Sequence, residues 1–183
     1  MISRLGVMLS CLAIAACAVQ PPPDTASVPP GTFGFLDNDV PAANRAAWAF
    51  AVPARTKDDP ATAARAASAV DYLTGELSSN PRWLMVSPLT KQEMLQARVD
   101  VRRVLGIRPD APSQLVVNAL LAFAGFWSVG NQPAAMQVLA SPVFTLPPQH
   151  TLQILSNMPY IQSANIATMD AARQMNGGAA WMP

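Results

Sequence analysis

The chain contains 183 residues, of which 51% are hydrophobic and 13% are charged, and its formal net charge is +1. A balance this close to zero excludes the clustered basic excess with which nucleic-acid-binding proteins neutralise phosphates. One histidine and two cysteines are too few for the usual nitrogen and sulfur ligands of a structural metal site.

The first 16 residues have the layout of an export signal. Arg4 provides a short basic region, and an apolar run from Leu5 to Ala16 follows it. Because a bilayer-spanning helix takes roughly 20 apolar residues, this run is too short to serve as a membrane span. We therefore expect residues 1–16 to be a signal peptide that is removed on export.

The residues that end this segment, Ile14-Ala15-Ala16-Cys17, resemble the lipobox of bacterial lipoproteins. The resemblance implies that Cys17 carries a diacylglyceryl group, becomes the N-terminus and anchors the protein in the cell envelope, facing the periplasm. Ala18 follows the cysteine where aspartate would favour the inner membrane, so the outer membrane is the expected location. The alternative is ordinary secretion after cleavage at Ala13-Ile14-Ala15.

The two cysteines leave no thiol for another purpose. Cys11 lies inside the signal and Cys17 carries the lipid in this interpretation, so we expect no disulfide in the mature chain. Removal of Arg4 from the 12 basic residues leaves 11, which equals the 11 acidic residues. The mature protein is thus formally neutral, and its expected membrane contact is the lipid, since no block of like charge indicates a polybasic patch.

Residues 17–40 contain Pro21-Pro22-Pro23 and Pro29-Pro30 and show almost no helical periodicity. Such sequences favour extended polyproline II geometry, which reaches roughly 70 Å over this length at about 3.1 Å per residue. We expect this lipidated, proline-rich segment to be a spacer between membrane and domain. Three apolar residues interrupt it, either because they dock on the domain or because they form a recognition segment: Phe33, Phe35 and Leu36.

The pattern over residues 41–176 predicts a string of helices that begin at capping residues or prolines. Asp59-Pro60 begins a helix with one apolar stripe. That stripe consists of Ala63, Ala66, Val70, Leu73 and Leu77. Ser87-Pro88 begins another helix, which ends at Gly106 in a Schellman motif. We expect an all-α fold, a compact single-domain bundle of five to seven helices, followed by a tail over 177–183.

The most apolar segment, Leu115 to Val129, is hydrophobic on almost every face. It is therefore either the buried central helix of the bundle or a membrane insertion. Its length and its polar Asn118 are unfavourable for a bilayer span, which favours the central helix. We expect Leu120 and Leu121 to pack there against the neighbouring helices.

The sequence contains no reactive constellation. The single histidine, His150, follows Pro147-Pro148 in the first turns of a predicted helix, and no Gly-x-Ser-x-Gly elbow accompanies it. Glu76 follows Gly75 near the end of a helix, where a carboxylate can line a cleft, although exposed glutamates are ordinary there. We predict no catalytic residue, no metal ligand and no cofactor.

Tryptophan and methionine are the remaining unusual feature, because both can line an adaptable groove for a lipid or a partner helix. At helical spacing the same residues also form ordinary cores. The candidate groove or partner-contact residues are Trp83, Trp127 and Trp181. Trp181 stands out because it follows Gly177-Gly178 in the tail.

Three functions remain open on these observations. The first is a non-catalytic interaction or scaffolding module, held in the envelope by its lipid and bound to an unidentified envelope protein. The second is a binder or carrier of an apolar ligand or lipid in a groove between helices. The third is a cell-wall hydrolase, which needs a catalytic carboxylate in a cleft. The lack of a reactive constellation favours the first function, and nothing in the sequence indicates an oligomeric state.

Overall fold

A computed structural model describes residues 23–179, which fold as seven α-helices with two short 3₁₀ turns. The helices are α1 (Asp39–Ala51), α2 (Pro60–Ser79), α3 (Pro88–Leu105), α4 (Ser113–Ser128), α5 (Gln132–Leu139), α6 (Pro148–Ser156) and α7 (Gln162–Ala179), and the 3₁₀ turns are Pro53–Arg55 and Pro81–Trp83. The predicted all-α bundle of five to seven helices in a single domain is confirmed.

The helix ends follow from local chemistry. Asp59 accepts a hydrogen bond from the backbone N–H of Thr62 at 3.0 Å, which caps the start of α2. Ser87 does the same for the N–H of Thr90 at 3.1 Å, at the start of α3. Gly106 ends α3 with a φ of 65°, a left-handed conformation that favours glycine. These are the boundaries that the sequence predicts.

Helix α2 lies at the centre of the bundle. It packs against α1, α3, α4 and α6, and 15 of its 20 residues are buried. The predicted apolar stripe is fully inside the core. Alanines on its other faces are buried as well: Ala61, Ala64, Ala67 and Ala69. Because alanine adds little bulk, neighbouring helices approach α2 closely from several sides.

The prediction that the most apolar segment is the central helix is wrong. Helix α4 packs against α2 and α5 and buries one face, on which Val116, Leu120 and Phe123 are fully enclosed. Its opposite face is open, and Leu115 there is 53% exposed. A helix that is hydrophobic all round does not encode which face turns inward. Within residues 23–179, no helix combines the length and the apolarity that a bilayer span requires.

The segment before α1 lies against the helices, within the range that the sequence predicts as a spacer. Ala26 and Phe33 are 4% and 5% exposed. Thr25 approaches α2 so closely that a Cβ added to Gly75 would lie 2.8 Å from the Thr25 Cα. Glycine at position 75 therefore permits the docking. Residues 23–38 of the predicted spacer thus pack on the domain, because apolar side chains within them find buried positions there.

Helix α7 closes the bundle by packing against α1 and α3. It continues to Ala179, past the Gly177-Gly178 pair at which the sequence predicts a stop. Glycine is about 1 kcal/mol less favourable than alanine in a helix but does not forbid helical dihedral angles, so the pair alone does not end α7. Two predicted site residues, Cys17 and Trp181, lie outside the described residues.

Candidate interaction surface

Four large apolar side chains are exposed in two loops beside the C-terminal end of α2. Phe35 and Leu36 are 91% and 92% exposed in the loop before α1, and Leu84 and Met85 are 74% and 93% exposed in the loop before α3. The two loops are neighbours, because Asp37 of the first pairs with Arg82 before the second, and large exposed apolar side chains on neighbouring loops are typical of surfaces that contact a partner or a membrane. We name the surface formed by these four side chains the apex.

An ion pair joins the two apex loops. The Arg82 guanidinium donates to both carboxylate oxygens of Asp37, with Nη2–Oδ2 and Nη1–Oδ1 distances of 2.9 and 3.2 Å. The same guanidinium lies over the Trp83 ring, with its central carbon 4.5 Å from the ring centroid. Because Asp37 directly follows Leu36 and Arg82 lies two residues before Leu84, this ion pair holds the two halves of the apex together.

A buried carboxylate lies beneath the apex loops. Asp39, the first residue of α1, is 6% exposed. One of its oxygens accepts a hydrogen bond from the Tyr72 hydroxyl on α2, and the other accepts one from the Trp83 indole Nε1 at 2.9 Å. The Arg82 Nη1 atom lies 3.6 Å from the second oxygen. Asp39 thus connects α1, α2 and the turn Pro81–Trp83.

Tyr72 and Asp37 both have shifted pKa values. Burial, and then the hydrogen bond to Asp39, raise the pKa of Tyr72, so the hydroxyl stays protonated and donates. Partial burial of Asp37 works to raise its pKa, but hydrogen bonds from Arg82 and from the Asp39 backbone N–H outweigh that effect and hold the pKa below its ordinary value. The ion pair between the loops therefore persists through neutral and mildly acidic pH.

The loop that carries Phe35 is held to the domain by a buried residue, Phe33. Phe33 turns inward and stacks on Tyr72, with ring centroids 5.8 Å apart. Gly34 follows, and a Cβ at that position would lie 2.3 Å from the Pro41 ring, so glycine is needed for the close approach to α1. The sequence left open whether the apolar residues of this segment dock. Phe33 docks, whereas the two apolar residues after Gly34 are exposed.

A second buried polar cluster connects α2, α3 and α4. Arg102 and Asp71 are 5% and 2% exposed and form a two-pronged ion pair, with N–O distances of 2.8 and 2.6 Å. Other guanidinium N–H groups donate to the Ser113 Oγ at 3.0 Å and to the Ala111 carbonyl at 2.9 Å. Because both charges are paired and further hydrogen-bonded, their burial is tolerated.

Asp24 attaches the N-terminal segment to this second cluster. Its carboxylate accepts hydrogen bonds from the N–H and the Oγ of Ser113, both at 2.8 Å, at the start of α4. The Arg98 Nη1 atom lies 3.4 Å from the same carboxylate. Desolvation works to raise the pKa of Asp24, but the bonds from Ser113 and the charges of Arg98 and Arg102 outweigh it, so the pKa lies below its ordinary value.

A cavity of about 400 Å³ opens beside Asp24. Three arginines of α3 line it, and each forms an ion pair with an aspartate, the pairs being Arg98–Asp24, Arg102–Asp71 and Arg103–Asp100. Sites for apolar ligands are instead lined mainly by hydrophobic and aromatic side chains. The three guanidinium groups make this cavity a poor match for a lipid or another apolar ligand.

The tryptophans predicted as contact residues occupy different settings. Trp83 is 4% exposed and donates to Asp39, so it supports the apex from below and presents no open face for a groove. Trp127 is half-buried in α4 and stacks on Phe123, with ring centroids 5.7 Å apart. For Trp83 the burial has a physical cause, because the indole N–H needs a partner and finds it in the enclosed carboxylate.

The two residues considered for catalysis lie in ordinary surroundings. Glu76 is half-buried near the end of α2 and accepts a hydrogen bond from the Asn80 Nδ2 at 2.8 Å. His150 is exposed in the first turn of α6. Across residues 23–179, no three histidine, cysteine, aspartate or glutamate side chains are grouped so that they could hold a metal ion.

The sequence contained a signal for the apex that composition and helical periodicity do not capture. Phe35-Leu36 and Leu84-Met85 are pairs of adjacent apolar residues outside any helical repeat, and the second pair lies just before the helix start at Ser87-Pro88. In a loop, two adjacent side chains rarely both face the core. Asp39 carried no comparable signal, because its partners lie 33 and 44 positions away in the chain.

Comparison with known proteins does not assign the chain to a family. No protein-family model, no curated protein and no solved structure matches it. Its function must therefore be inferred from the apex, from the polar groups beneath the apex and from the N-terminal sequence.

Proposed function

We propose that this protein is a lipid-anchored component of the bacterial cell envelope that acts by contact and not by catalysis, with the apex as its contact surface. In this proposal Cys17 carries the lipid and the domain faces the periplasm. Ala18 after the cysteine favours the outer membrane over the inner. The protein is then an interaction or scaffolding module that binds another component of the envelope.

The observation that carries the proposal is the way in which the apex is displayed. Its four side chains are 74–93% exposed and so add little to the core. The loops that hold them are nevertheless fixed by the Asp37–Arg82 ion pair and by the hydrogen bonds to Asp39. A loose loop would let its apolar side chains fold back onto the domain. A fixed loop keeps them available, and preorganisation lowers the entropy that contact costs.

The two other functions have less support. A carrier of an apolar ligand needs an apolar groove, whereas three arginines and an aspartate are among the residues that line the cavity beside Asp24. A hydrolase needs a carboxylate positioned for proton transfer in a cleft, whereas Glu76 is engaged with Asn80 at a helix end. The buried charges of Asp71 and Arg102 neutralise each other. These groups favour a structural use of the charged residues.

Metabolic labelling tests the lipid anchor. Cells that produce the full chain are fed a fatty-acid analogue, and the labelled protein is compared with Cys17→Ser. We expect label on the wild type and none on Cys17→Ser, because the thiol is the attachment point. Cys11→Ser is the matched control and should label like the wild type. Equal labelling of Cys17→Ser would contradict the proposed anchor.

Photo-crosslinking in intact cells tests the contact surface. A photoreactive amino acid replaces Met85 in one variant and Val129 in another, since Val129 is also 78% exposed but lies at the end of α4, away from the apex loops. We expect crosslinked products at position 85 in clear excess over position 129. Equal yields at both positions would show that the apex is no more engaged than any other open surface.

A further inference from the structure

We propose that the apex contacts the lipid bilayer itself, in the same membrane that holds the lipid on Cys17. This inference rests on the proposed lipid anchor and names the partner of the same surface. Phe35, Leu36, Leu84 and Met85 enter the boundary between headgroups and acyl chains, while the helical bundle remains outside the bilayer. The lipid then holds the protein at the membrane, and the apex fixes the orientation of the domain.

The reach from Cys17 to the domain is short. The chain is attached to the domain at Asp24, which accepts two hydrogen bonds from Ser113 and lies beside Arg98. Seven residue steps separate Cys17 from Asp24, and a fully extended chain covers at most about 3.6 Å per step, or about 25 Å in all. A free spacer up to α1 would reach roughly 70 Å. The docked segment therefore keeps the domain close to the membrane surface.

The point where the chain is attached to the domain lies within reach of the apex end of the bundle. Thr25 lies against Gly75, four residues before the end of α2 at Ser79. The turn that carries Arg82 follows this end of α2, and the loop before α1 is joined to Arg82 through Asp37.

The Ser113 Oγ lies 2.8 Å from the carboxylates of both Asp24 and Asp71, and Asp71 is eight residues before the end of α2 at Ser79. At 1.5 Å per helical residue this end of α2 lies about 12 Å beyond Asp71, which is less than the reach of about 25 Å from Asp24 to Cys17. A lipid on Cys17 can therefore enter the same bilayer as the apex.

The chemistry of the apex suits the boundary between headgroups and acyl chains. Its side chains are long and apolar, and they stand on loops, so they can enter the interface while the backbone of the loops keeps its contact with water and headgroups. Arg82, which joins the two apex loops, is paired with Asp37 and lies close to Asp39. Contact with lipid therefore needs no excess of anionic headgroups. We expect the insertion to be driven by apolar burial and to be insensitive to membrane charge.

Fluorescence of reconstituted protein tests this inference. The full chain is produced in bacteria, purified from membranes and reconstituted into phosphatidylcholine vesicles, with Met85→Cys or Val129→Cys labelled by an environment-sensitive nitrobenzoxadiazole dye. Intact-mass measurement first establishes that Cys17 is lipidated, which also leaves the introduced cysteine as the single free thiol. We expect a blue shift and quenching by lipid-borne spin labels at position 85 and neither at position 129. Addition of phosphatidylglycerol should leave the result unchanged.

The outcomes separate the inference from the proposed function. An unmodified Cys17 overturns both. A lipidated protein in which the dye at position 85 is as exposed to water as the dye at position 129 overturns the bilayer contact alone. Quenching at position 85 that requires phosphatidylglycerol also overturns it, because the attraction would then be electrostatic.

Serine substitutions provide a second readout in the same vesicles. Phe35→Ser together with Leu84→Ser, in the Met85→Cys background, removes two inserting side chains. Burial of one such side chain corresponds to roughly a tenfold change in an equilibrium or more, so the ratio of inserted to water-exposed dye should fall at least about tenfold. The control is Leu115→Ser with Val129→Ser, which removes exposed apolar groups from α4 and should leave the ratio unchanged. An unchanged ratio in the apex variant would overturn the inference.

Discussion

Helix α4 and the apex are both rich in large apolar side chains, but the molecule uses them in opposite ways. Leu120 and Phe123 of α4 are fully enclosed, whereas Leu36 and Met85 of the apex are more than 90% exposed. The difference follows from backbone geometry, because a helix turns one face of its repeat toward the core. In the apex loops, the hydrogen bonds from Tyr72 and Trp83 to Asp39 fix the backbone, and the neighbouring apolar side chains remain exposed. Apolar content alone therefore does not distinguish core from contact surface.

The largest expected loss of stability follows removal of the segment before α1, which supports the apex. A chain that begins at residue 41 lacks Phe33 and Asp39, so Tyr72 and Trp83 lose their partners. Loss of a buried phenylalanine costs about 3–5 kcal/mol and an unsatisfied buried group about 1–3 kcal/mol. We expect the free energy of unfolding in urea to fall by roughly 4–8 kcal/mol relative to a chain that begins at residue 23. Equal unfolding midpoints for the two chains would show that the N-terminal segment is dispensable for the fold.

Two neighbouring leucines of α4 separate its buried face from its open face. Leu120 is fully buried and Leu121 is half-buried. Leu120→Ala should lower the free energy of unfolding by about 2–5 kcal/mol, because it leaves a cavity against α2, and Leu121→Ala by less than about 2 kcal/mol. Thermal or urea unfolding of both variants in plain buffer measures the difference. A loss at position 121 as large as at position 120 would contradict the orientation of α4.

The buried carboxylate beneath the apex should matter more than the exposed carboxylate above it. Asp39→Asn places an amide N–H₂ group among the donors Tyr72 and Trp83, so one of them loses its acceptor. We expect a loss of about 1–3 kcal/mol in the free energy of unfolding. The control is Asp37→Asn, whose side chain is 30% exposed and whose pair with Arg82 should contribute less than about 1 kcal/mol. A larger loss for Asp37→Asn than for Asp39→Asn would show that the ion pair with Arg82 stabilises the apex loops more than the buried carboxylate does.

A smaller effect should appear at acid pH through Asp24. Its pKa is lower in the folded protein than its ordinary value of 3.8, so the stabilisation is present above that value and is lost as pH falls through the folded pKa. The backbone N–H of Ser113 donates a hydrogen bond to Asp24 at 2.8 Å. Hydrogen exchange at this N–H should accelerate as pH falls through the folded pKa of Asp24, beyond the ordinary pH dependence of exchange. Asp24→Asn should remove that additional acceleration. A transition of the same size in Asp24→Asn would assign it to another group.

Much of the fold was predictable because it depends on local signals. Asp59, Ser87 and Gly106 mark helix ends through contacts within a few residues, and the α2 stripe follows from helical periodicity. The central position of α2 was not predictable in this way. Its alanines have little hydrophobicity to signal burial, and only the packed bundle shows that their small size admits neighbours on several sides.

The candidate site was only partly predictable, because its parts are distant in the chain. Phe35 and Leu36 stand out in the sequence as apolar residues in a polar segment, but the sequence alone leaves open whether they dock. Leu84 and Met85 join them only through the pair of Asp37 with an arginine 45 positions away. Contacts of this length carry no local pattern. They also explain why the docking of the N-terminal segment was not predictable, since Asp24 finds its partner 89 positions along the chain.

The central claim is that the apex side chains are surplus to folding and are kept outside for contact. The most direct test compares the unfolding of a variant carrying Phe35→Ser, Leu36→Ser, Leu84→Ser and Met85→Ser with that of Leu120→Ala, both measured against the wild type in urea. We expect the fourfold variant to stay within about 1 kcal/mol of the wild type, because exposed substitutions cost little, while Leu120→Ala loses about 2–5 kcal/mol. A fourfold variant that loses as much as Leu120→Ala would place the apex in the core and contradict the claim.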